Sequence, residues 1–199
     1  MLYPGMSVQE PQYTVELHEG VFELRRYPPR VIAETRVSGT FGAAGNSGFR
    51  RLARYIFGGN RGRQKIAMTA PVGERPAGRK IAMTAPVGER AEDGGWVITF
   101  TMPSGETLAT LPEPNDPAVS LRELAATRVA VHRTRGRWTD AKFAEHAAAL
   151  RAWTRARGLL VAGEPEVNRY DPPWTPWFLR RNEVWMTLMD QADRTGELR

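Results

Sequence analysis

The sequence predicts an α+β fold of two similar halves that meet around a pseudo-twofold axis. Three observations carry this reading. Two segments have the helical period of apolar residues, and most of the rest alternates with the two-residue period of strands. The order strand, strand, helix, strand, strand is read twice, once on each side of a proline-rich connector. The lead into the first helix, Arg36-Val37-Ser38-Gly39-Thr40-Phe41, returns as Arg133-Thr134-Arg135-Gly136-Arg137-Trp138 before the second, 97 residues on. Both copies read Arg-x-x-Gly-x-aromatic. Two such halves would pair their sheets and leave a groove between them.

Taken in order, Val21–Tyr27 and Arg30–Val37 are strands flanking Pro28-Pro29. The first helix runs from about Phe41 to Phe57, with Phe49, Leu52, Ala53 and Ile56 on one face and Gly58-Gly59-Asn60 ending it. Next comes Lys-Ile-Ala-Met-Thr-Ala-Pro-Val-Gly-Glu-Arg written twice, Lys65–Arg75 and Lys80–Arg90. Each copy alternates like a strand up to its proline, and Gly73–Gly78 is turn-like, so the pair reads as a hairpin. Lys80–Pro86 is the copy predicted to pair with Trp96–Met102, through a connection spanning Gly88 to Gly95. Two copies are too few for a solenoid. Pro103–Pro117 is a connector. Val119–Leu124 and Arg128–Arg133 are strands. The second helix runs from about Thr139, a suitable N-cap, to Arg157 before Gly158, burying Phe143, Ala147 and Leu150. Glu166–Tyr170 and Glu183–Met189 complete the set. The predicted organisation is a tail at 1–12, one domain at 13–189 with halves at about 13–102 and 119–189 and a connector at 103–118, and a tail at 190–199.

The chain has 199 residues, enough to bury roughly 70% of its unfolded surface without cross-links. It has no cysteine, which excludes disulfides, thiolate metal sites and thiol chemistry and fits a reducing, cytoplasmic compartment. Met1–Glu10 has neither a basic n-region nor an apolar run, so no secretion signal is expected, and nothing is long and apolar enough to span a membrane. The net charge of +6 comes almost wholly from scattered arginines with no run of five, which disfavours nucleic acid as a partner.

Catalytic motifs are missing. The three histidines His18, His132 and His146 have no metal-ligand spacing. No Gly-x-Ser-x-Gly occurs. Gly58-Gly59-Asn60-Arg61-Gly62 has the glycines of an anion nest without the lysine of a phosphate loop. Glu183 shares a strand face with Trp185, where a carboxyl can bind a cation or act as an acid; pairing with Arg180 or Arg181 is the commoner use. The remaining candidates are aromatic and basic. Phe57 lies near Arg50 and Arg54 on the first helix. Trp174, Trp177 and Phe178 sit in a loop stiffened by Pro172, Pro173 and Pro176, ahead of Arg180 and Arg181. Flat apolar surface beside guanidinium groups suits a planar ligand with peripheral carboxylates, as porphyrins are.

At these residues the chain resembles the SOUL/haem-binding protein family, from about Tyr13 to Leu188. The resemblance is carried by Phe22-Glu23-Leu24-Arg25-Arg26-Tyr27-Pro28-Pro29, the repeated Lys-Ile-Ala-Met-Thr-Ala-Pro-Val, Leu111-Pro112-Glu113-Pro114-Asn115-Asp116-Pro117, and Tyr170-Asp171-Pro172-Pro173 through Arg180-Arg181-Asn182-Glu183-Val184-Trp185. It implies a distorted β-barrel of two ββαββ halves with two packed helices, akin to bacterial effector-binding domains. It also implies haem or another tetrapyrrole as ligand, on a shallow surface between the first helix and the loop before the last strand. On this chain that surface comprises Asn46, Phe49, Arg50, Ala53, Arg54, Phe57, Trp174, Thr175, Trp177 and Phe178. Two positions that are basic in such members fall on the neutral Asn46 and Thr175. The function implied is non-catalytic buffering, transport or sequestration by a cytoplasmic, bacterial-type monomer. The alternative is a gyrase-inhibitor-like, small-molecule-binding or hydrolytic protein using an acid such as Glu183.

Overall fold

The computed structural model describes residues 9–61, 79–92, 94–171 and 175–189. β1 (Thr14–Glu19), β2 (Phe22–Tyr27) and β3 (Arg30–Ser38) precede α1 (Phe41–Ile56) and the short β4 (Asn60–Arg61). β5 (Val87–Glu92) and β6 (Gly95–Thr101) complete the first half, and β7 (Glu113–Pro114) lies in the connector against β4. The second half is β8 (Val119–Leu124), β9 (Thr127–Arg135), α2 (Asp140–Ala156), β10 (Glu166–Arg169), a single 3-10 turn (Trp177–Leu179) and β11 (Arg181–Thr187).

Nine strands form one antiparallel sheet in the order β1-β2-β9-β11-β10-β5-β6-β3-β8. Its shape follows from two short links. Pro28-Pro29 joins β2 to β3, and Ala125-Ala126 joins β8 to β9, yet each pair is six strands apart in the sheet. A flat sheet would separate them by roughly 29 Å, whereas the three peptide steps from Tyr27 to Arg30 reach about 11 Å. The sheet therefore curls until its far corners meet. Arg30 confirms the approach, donating from Nη1 to Thr127 Oγ1 at 2.9 Å across the two links.

The halves are related by register as well as by element order. β3 pairs with β8 as Arg30↔Leu124, and β9 pairs with β2 as Thr127↔Tyr27, so each half lends its first strand to the other. Shifting both strands by 97 residues turns one ladder into the other. β6 against β3 (Gly95↔Ser38) and β11 against β9 (Arg181↔Arg135) occupy equivalent places, with Ser38 and Arg135 again 97 residues apart. The twofold axis passes between β5 and β10. The glycines of the shared lead both need positive φ, 119° at Gly39 and 107° at Gly136, which non-glycine residues rarely adopt.

Each helix covers one half. α1 buries Leu52, Tyr55 and Ile56 against Val31, Ala33, Ile98 and Phe100. α2 buries Ala147, Leu150 and Trp153 against Leu24, Ala130, Val184 and Met186. Thr139 caps α2 as the sequence predicts, accepting from Lys142 N at 3.3 Å. After α1, Gly59 N donates to Arg54 O at 2.8 Å, and Asn60 is buried with Nδ2 donating to Tyr55 O and Arg79 O. These glycines and Asn60 thus end a helix rather than cradle an anion.

One expectation is corrected. Lys80–Pro86 is not the strand partner of Trp96–Met102; the strand begins at Val87, and Val87–Glu92 pairs with β6. Pro86 has no N–H to give a ladder and follows a cis bond from Ala85. Gly88 lies inside β5 rather than in the connection, and Gly94 before β6 has φ 76°. Thr84 instead forms a parallel bridge with Gln9. The first copy, Lys65–Arg75, lies outside the described residues. β1 is a further strand absent from the sequence reading; it is an edge strand with most side chains exposed, so burial leaves no alternation to read.

α1 sits close to the sheet because glycines face it. A Cβ on Gly48 would lie 2.3 Å from Ile98 Cγ1 and 2.8 Å from its Cβ. Alanine favours a helix over glycine by about 1 kcal/mol, but overpacking a core costs about 1–3 kcal/mol. Gly48→Ala should therefore destabilise the protein, seen as a lower urea midpoint. Unchanged or raised stability would mean that α1 has room to shift.

Candidate ligand surface and the buried charge cluster

The helical part of the anticipated surface forms one face of α1. Asn46, Arg50 and Arg54 are exposed at four-residue steps, Phe57 is 49% exposed at the C-cap, and Phe49 and Ala53 are half-buried beside them. Phe49 packs edge-on against Phe100 at 5.4 Å, so it anchors the face to the core. Arg51, one residue round the helix, turns back to the sheet, with Nη1 donating to Thr35 Oγ1 and Arg36 O.

The loop part is an apolar knuckle. Trp177, Phe178 and Leu179 are 52%, 57% and 57% exposed, and the Trp177 and Phe178 rings meet edge-to-face at 5.7 Å. Arg180 Nε donates to Thr175 O at 2.8 Å and Gly136 N donates to Arg180 O at 3.0 Å, tying the knuckle's root to the lead into α2. Arg181 N donates to Asp171 Oδ2 at 2.6 Å. Trp174 lies outside the described residues.

Both parts reach the same end of the central strands. Val87 lies opposite Arg169, so the start of β5 is beside the end of β10, which leads into the loop. Ile81 N donates to Ile56 O at 2.8 Å, so the chain entering β5 comes from the C-terminus of α1. Residues 81–86 thus run between the α1 face and the loop root. Two residues into β5 lies Glu89, only 2% exposed, 3.1 Å from Arg169 Nε and close under Gly45 of α1. Burial pushes the Glu89 carboxyl up to about 7, against the opposing charge of Arg169.

The other face of the sheet holds what the sequence reading missed. Glu183 is fully buried and receives both Arg25 terminal nitrogens, Nη1 to Oε2 at 2.9 Å and Nη2 to Oε1 at 3.0 Å. Tyr170 Oη and Trp185 Nε1 also donate to Oε2, each at 2.7 Å. Burial would raise the Glu183 carboxyl, but the hydrogen bonds and charge of Arg25, helped by Tyr170 and Trp185, outweigh it and hold it below the ordinary carboxylate range. Glu23 holds the other side of Arg25, and Arg133 holds Glu23. The expected pairing with Arg181 is present at 3.4 Å, but Arg25 is the closer, two-pronged partner, and Arg180 binds the loop. The missed signal was Glu23, Arg25 and Tyr27 at two-residue steps on one face of β2.

Residues before β1 close over this cluster. Glu10 takes two hydrogen bonds from Arg181, at 3.1 and 2.9 Å, and Arg181 stacks on Tyr170 at 3.6 Å. Tyr13 covers Arg25 at 4.3 Å and lies 5.2 Å from Tyr27. Beside it a groove of about 650 Å³ is lined by Pro11, Tyr13, Tyr27, Pro28 and Ala126.

The histidines stand elsewhere. His132 and His146 meet at 4.8 Å between β9 and α2, away from the α1 face. Burial, with the neighbouring charge of His132, lowers the His146 imidazole. Among the described residues no group of three or more His, Asp or Glu could hold a metal ion, and no helix is long and apolar enough to cross a membrane.

Residues 8–187 match the family model described as SOUL heme-binding protein. The chain belongs to the SOUL family. A search of curated proteins gives no match to the sequence. Among solved structures, the C-terminal domain of EcmrR superposes with a TM-score of 0.54 at 12% identity, over 89% of this chain and 98% of that one. A hydrolase from Listeria innocua superposes with a TM-score of 0.52 at 12% identity, over 83% and 91%. At such identities the likeness establishes a fold shared by this SOUL protein with those domains, the curled sheet with two helices.

Two outcomes follow. Arg25→Ala strands a buried carboxylate, which costs about 3–5 kcal/mol, so chemical denaturation should show a loss of that size; a loss below 1 kcal/mol would mean that water or Arg181 compensates. For Glu89 the folded protein holds its proton more tightly than the unfolded chain, so stability falls as pH rises from about 4.5 to 7. Glu89→Gln removes that cost, on the order of 1–3 kcal/mol above pH 7. Thermal melts from pH 4.5 to 8 should show a flatter profile and a gain at pH 8. An unchanged profile refutes the assignment.

Proposed function

We propose that this SOUL-family protein binds haem or a related tetrapyrrole without catalysis, on the surface between the α1 face and the Trp177–Leu179 knuckle. The observation that carries the reading is a large apolar knuckle left in solvent at the end of the central strands, with two exposed arginines on the neighbouring α1 face. Exposing three consecutive large apolar side chains costs hydration free energy, and the 3-10 turn presents all three outward. Trp177 and Phe178 offer ring faces, Phe49 and Ala53 a half-buried apolar base, and Arg50 and Arg54 guanidinium groups for peripheral carboxylates. These residues fit a tetrapyrrole with acidic substituents. With Asn46 and Thr175 neutral, Arg50 and Arg54 carry the charge recognition on this surface.

The non-catalytic reading is supported by Glu183. The carboxyl that would serve a hydrolytic reaction is ionised, fully buried and saturated by Arg25, Tyr170 and Trp185. A general acid needs a proton to give at working pH, and this environment takes it away.

A haemin titration followed by absorbance tests the proposal. Trp177→Ala should weaken binding by about 1–3 kcal/mol, the scale for one large apolar side chain. Arg54→Glu should weaken it too, with an effect that shrinks at high salt because exposed charges are screened. His132→Ala and His146→Ala should leave the Soret band in place. A Soret band lost in a histidine variant, with Trp177→Ala silent, would put the ligand on another surface.

A further inference from the structure

The pseudo-twofold axis that relates the halves also relates α1 to α2. Their buried faces align when Leu52, Tyr55 and Ile56 are laid on Leu150, Trp153 and Thr154, all buried, a shift of 98 residues. Under that shift the six α1 residues of the ligand face, Asn46, Phe49, Arg50, Ala53, Arg54 and Phe57, fall on Ala144, Ala147, Ala148, Arg151, Ala152 and Arg155. All six of these α2 residues line one groove of about 520 Å³, with Phe143 as one wall and Glu164-Pro165 opposite. Pro165 stands immediately before β10 as Pro86 stands before β5, so the far walls correspond as well.

The groove's chemistry differs from that of an idle helix face. Its base is methyl groups, a flat floor that carries no polar atoms to satisfy. Arg151 and Arg155 are exposed on its rim, and neither forms an ion pair among the described residues. Where α1 carries cations, at Arg50 and Arg54, α2 has Ala148 and Ala152. Where α1 carries apolar groups, at Ala53 and Phe57, α2 has Arg151 and Arg155. The charged and apolar strips are exchanged, so the same kind of ligand would lie in the opposite sense across the helix.

We propose that the α2 groove is a second binding site for a planar apolar molecule bearing carboxylates, seated on the alanine floor against Phe143 with its acidic groups on Arg151 and Arg155. The ligand class rests on the function proposed above; the site rests on the groove and its symmetry.

The test is a titration with haemin and with metal-free protoporphyrin, counting equivalents, on the full chain and three variants. One variant disables the α1 surface (Trp177→Ala with Arg54→Glu). A second reverses the α2 rim (Arg151→Glu with Arg155→Glu). A third fills the α2 groove (Ala148→Trp). All these positions are exposed, so circular dichroism should show unchanged folding. The expected result is two equivalents for the native chain, with one lost on disabling α1 and the other weakened at least about tenfold by either α2 variant. Haemin dimethyl ester should bind α2 more weakly than haemin. One equivalent that is insensitive to both α2 variants overturns the second site and leaves the α1 reading standing. One equivalent sensitive only to the α2 variants overturns the α1 reading and keeps the groove. No binding of either porphyrin overturns both.

Discussion

The constraint on which the rest depends is the exchange of first strands between halves. Pro28-Pro29 fixes φ at about −65° where a two-residue hairpin turn needs positive φ, so β2 does not fold back on β3 but crosses to β9, and Ala125-Ala126, equally without glycine, sends β8 to β3 in return. Neither half can complete its sheet alone. The exchange bends the sheet until its corners touch at Arg30 and Thr127 and separates its two faces. The helix-covered face packs two similar apolar cores and admits the Glu89–Arg169 pair, whereas the enclosed face must satisfy the cluster of polar groups that alternates onto it.

That enclosed face explains the Arg25–Glu183 pair. β2 and β11 both flank β9, so residues two strands apart meet across Val129 and Val131. A buried ion pair contributes little net stability over a well-packed apolar pair. It does impose a geometry, because every donor must find its acceptor. Glu183 fixes Tyr170 at the root of the loop, and through Arg181 it reaches Glu10 ahead of β1. One carboxylate thereby ties β2, β10, β11 and the N-terminal segment together.

The helices, their ends and most strands were legible in the sequence, because each rests on local signals: periodic apolar residues in α1 and α2, Thr139 as a cap, glycines at Gly39 and Gly136. The duplicated order was legible for the same reason. The strand exchange was not, since partners such as Arg30 and Leu124 are set by sheet closure rather than by neighbours in the chain. Lys80–Pro86 misled because alternation records which side chains are buried, not whether a backbone donates to a ladder. Ile81 and Ala85 are buried without lying in a strand. At the site, the α1 face could be placed from helical geometry. The pairing of Glu183 with Arg181 could be read from neighbours in the chain, but its main partner Arg25 could not, because only the curl brings β2 to β11.

The symmetry also shows where this fold resists change and where it tolerates it. Positions facing the sheet stay buried in both halves, and Leu52 with Leu150 and Tyr55 with Trp153 keep their bulk as well, where a lost methylene leaves a cavity. Outward positions on the same helices have no such restraint, and there Arg50 meets Ala148 and Phe57 meets Arg155. A duplicated half-barrel thus holds two equivalent outer surfaces on one conserved frame. Their chemistry is set by a handful of exposed side chains whose substitution costs the core almost nothing. The knuckle at Trp177–Leu179 belongs to this freedom too. It projects from the link between β10 and β11, whereas the matching link between β5 and β6 is only two residues long. The insertion on one side alone breaks the symmetry that the sheet keeps. It lets the two outer surfaces of one chain differ in shape as well as in charge.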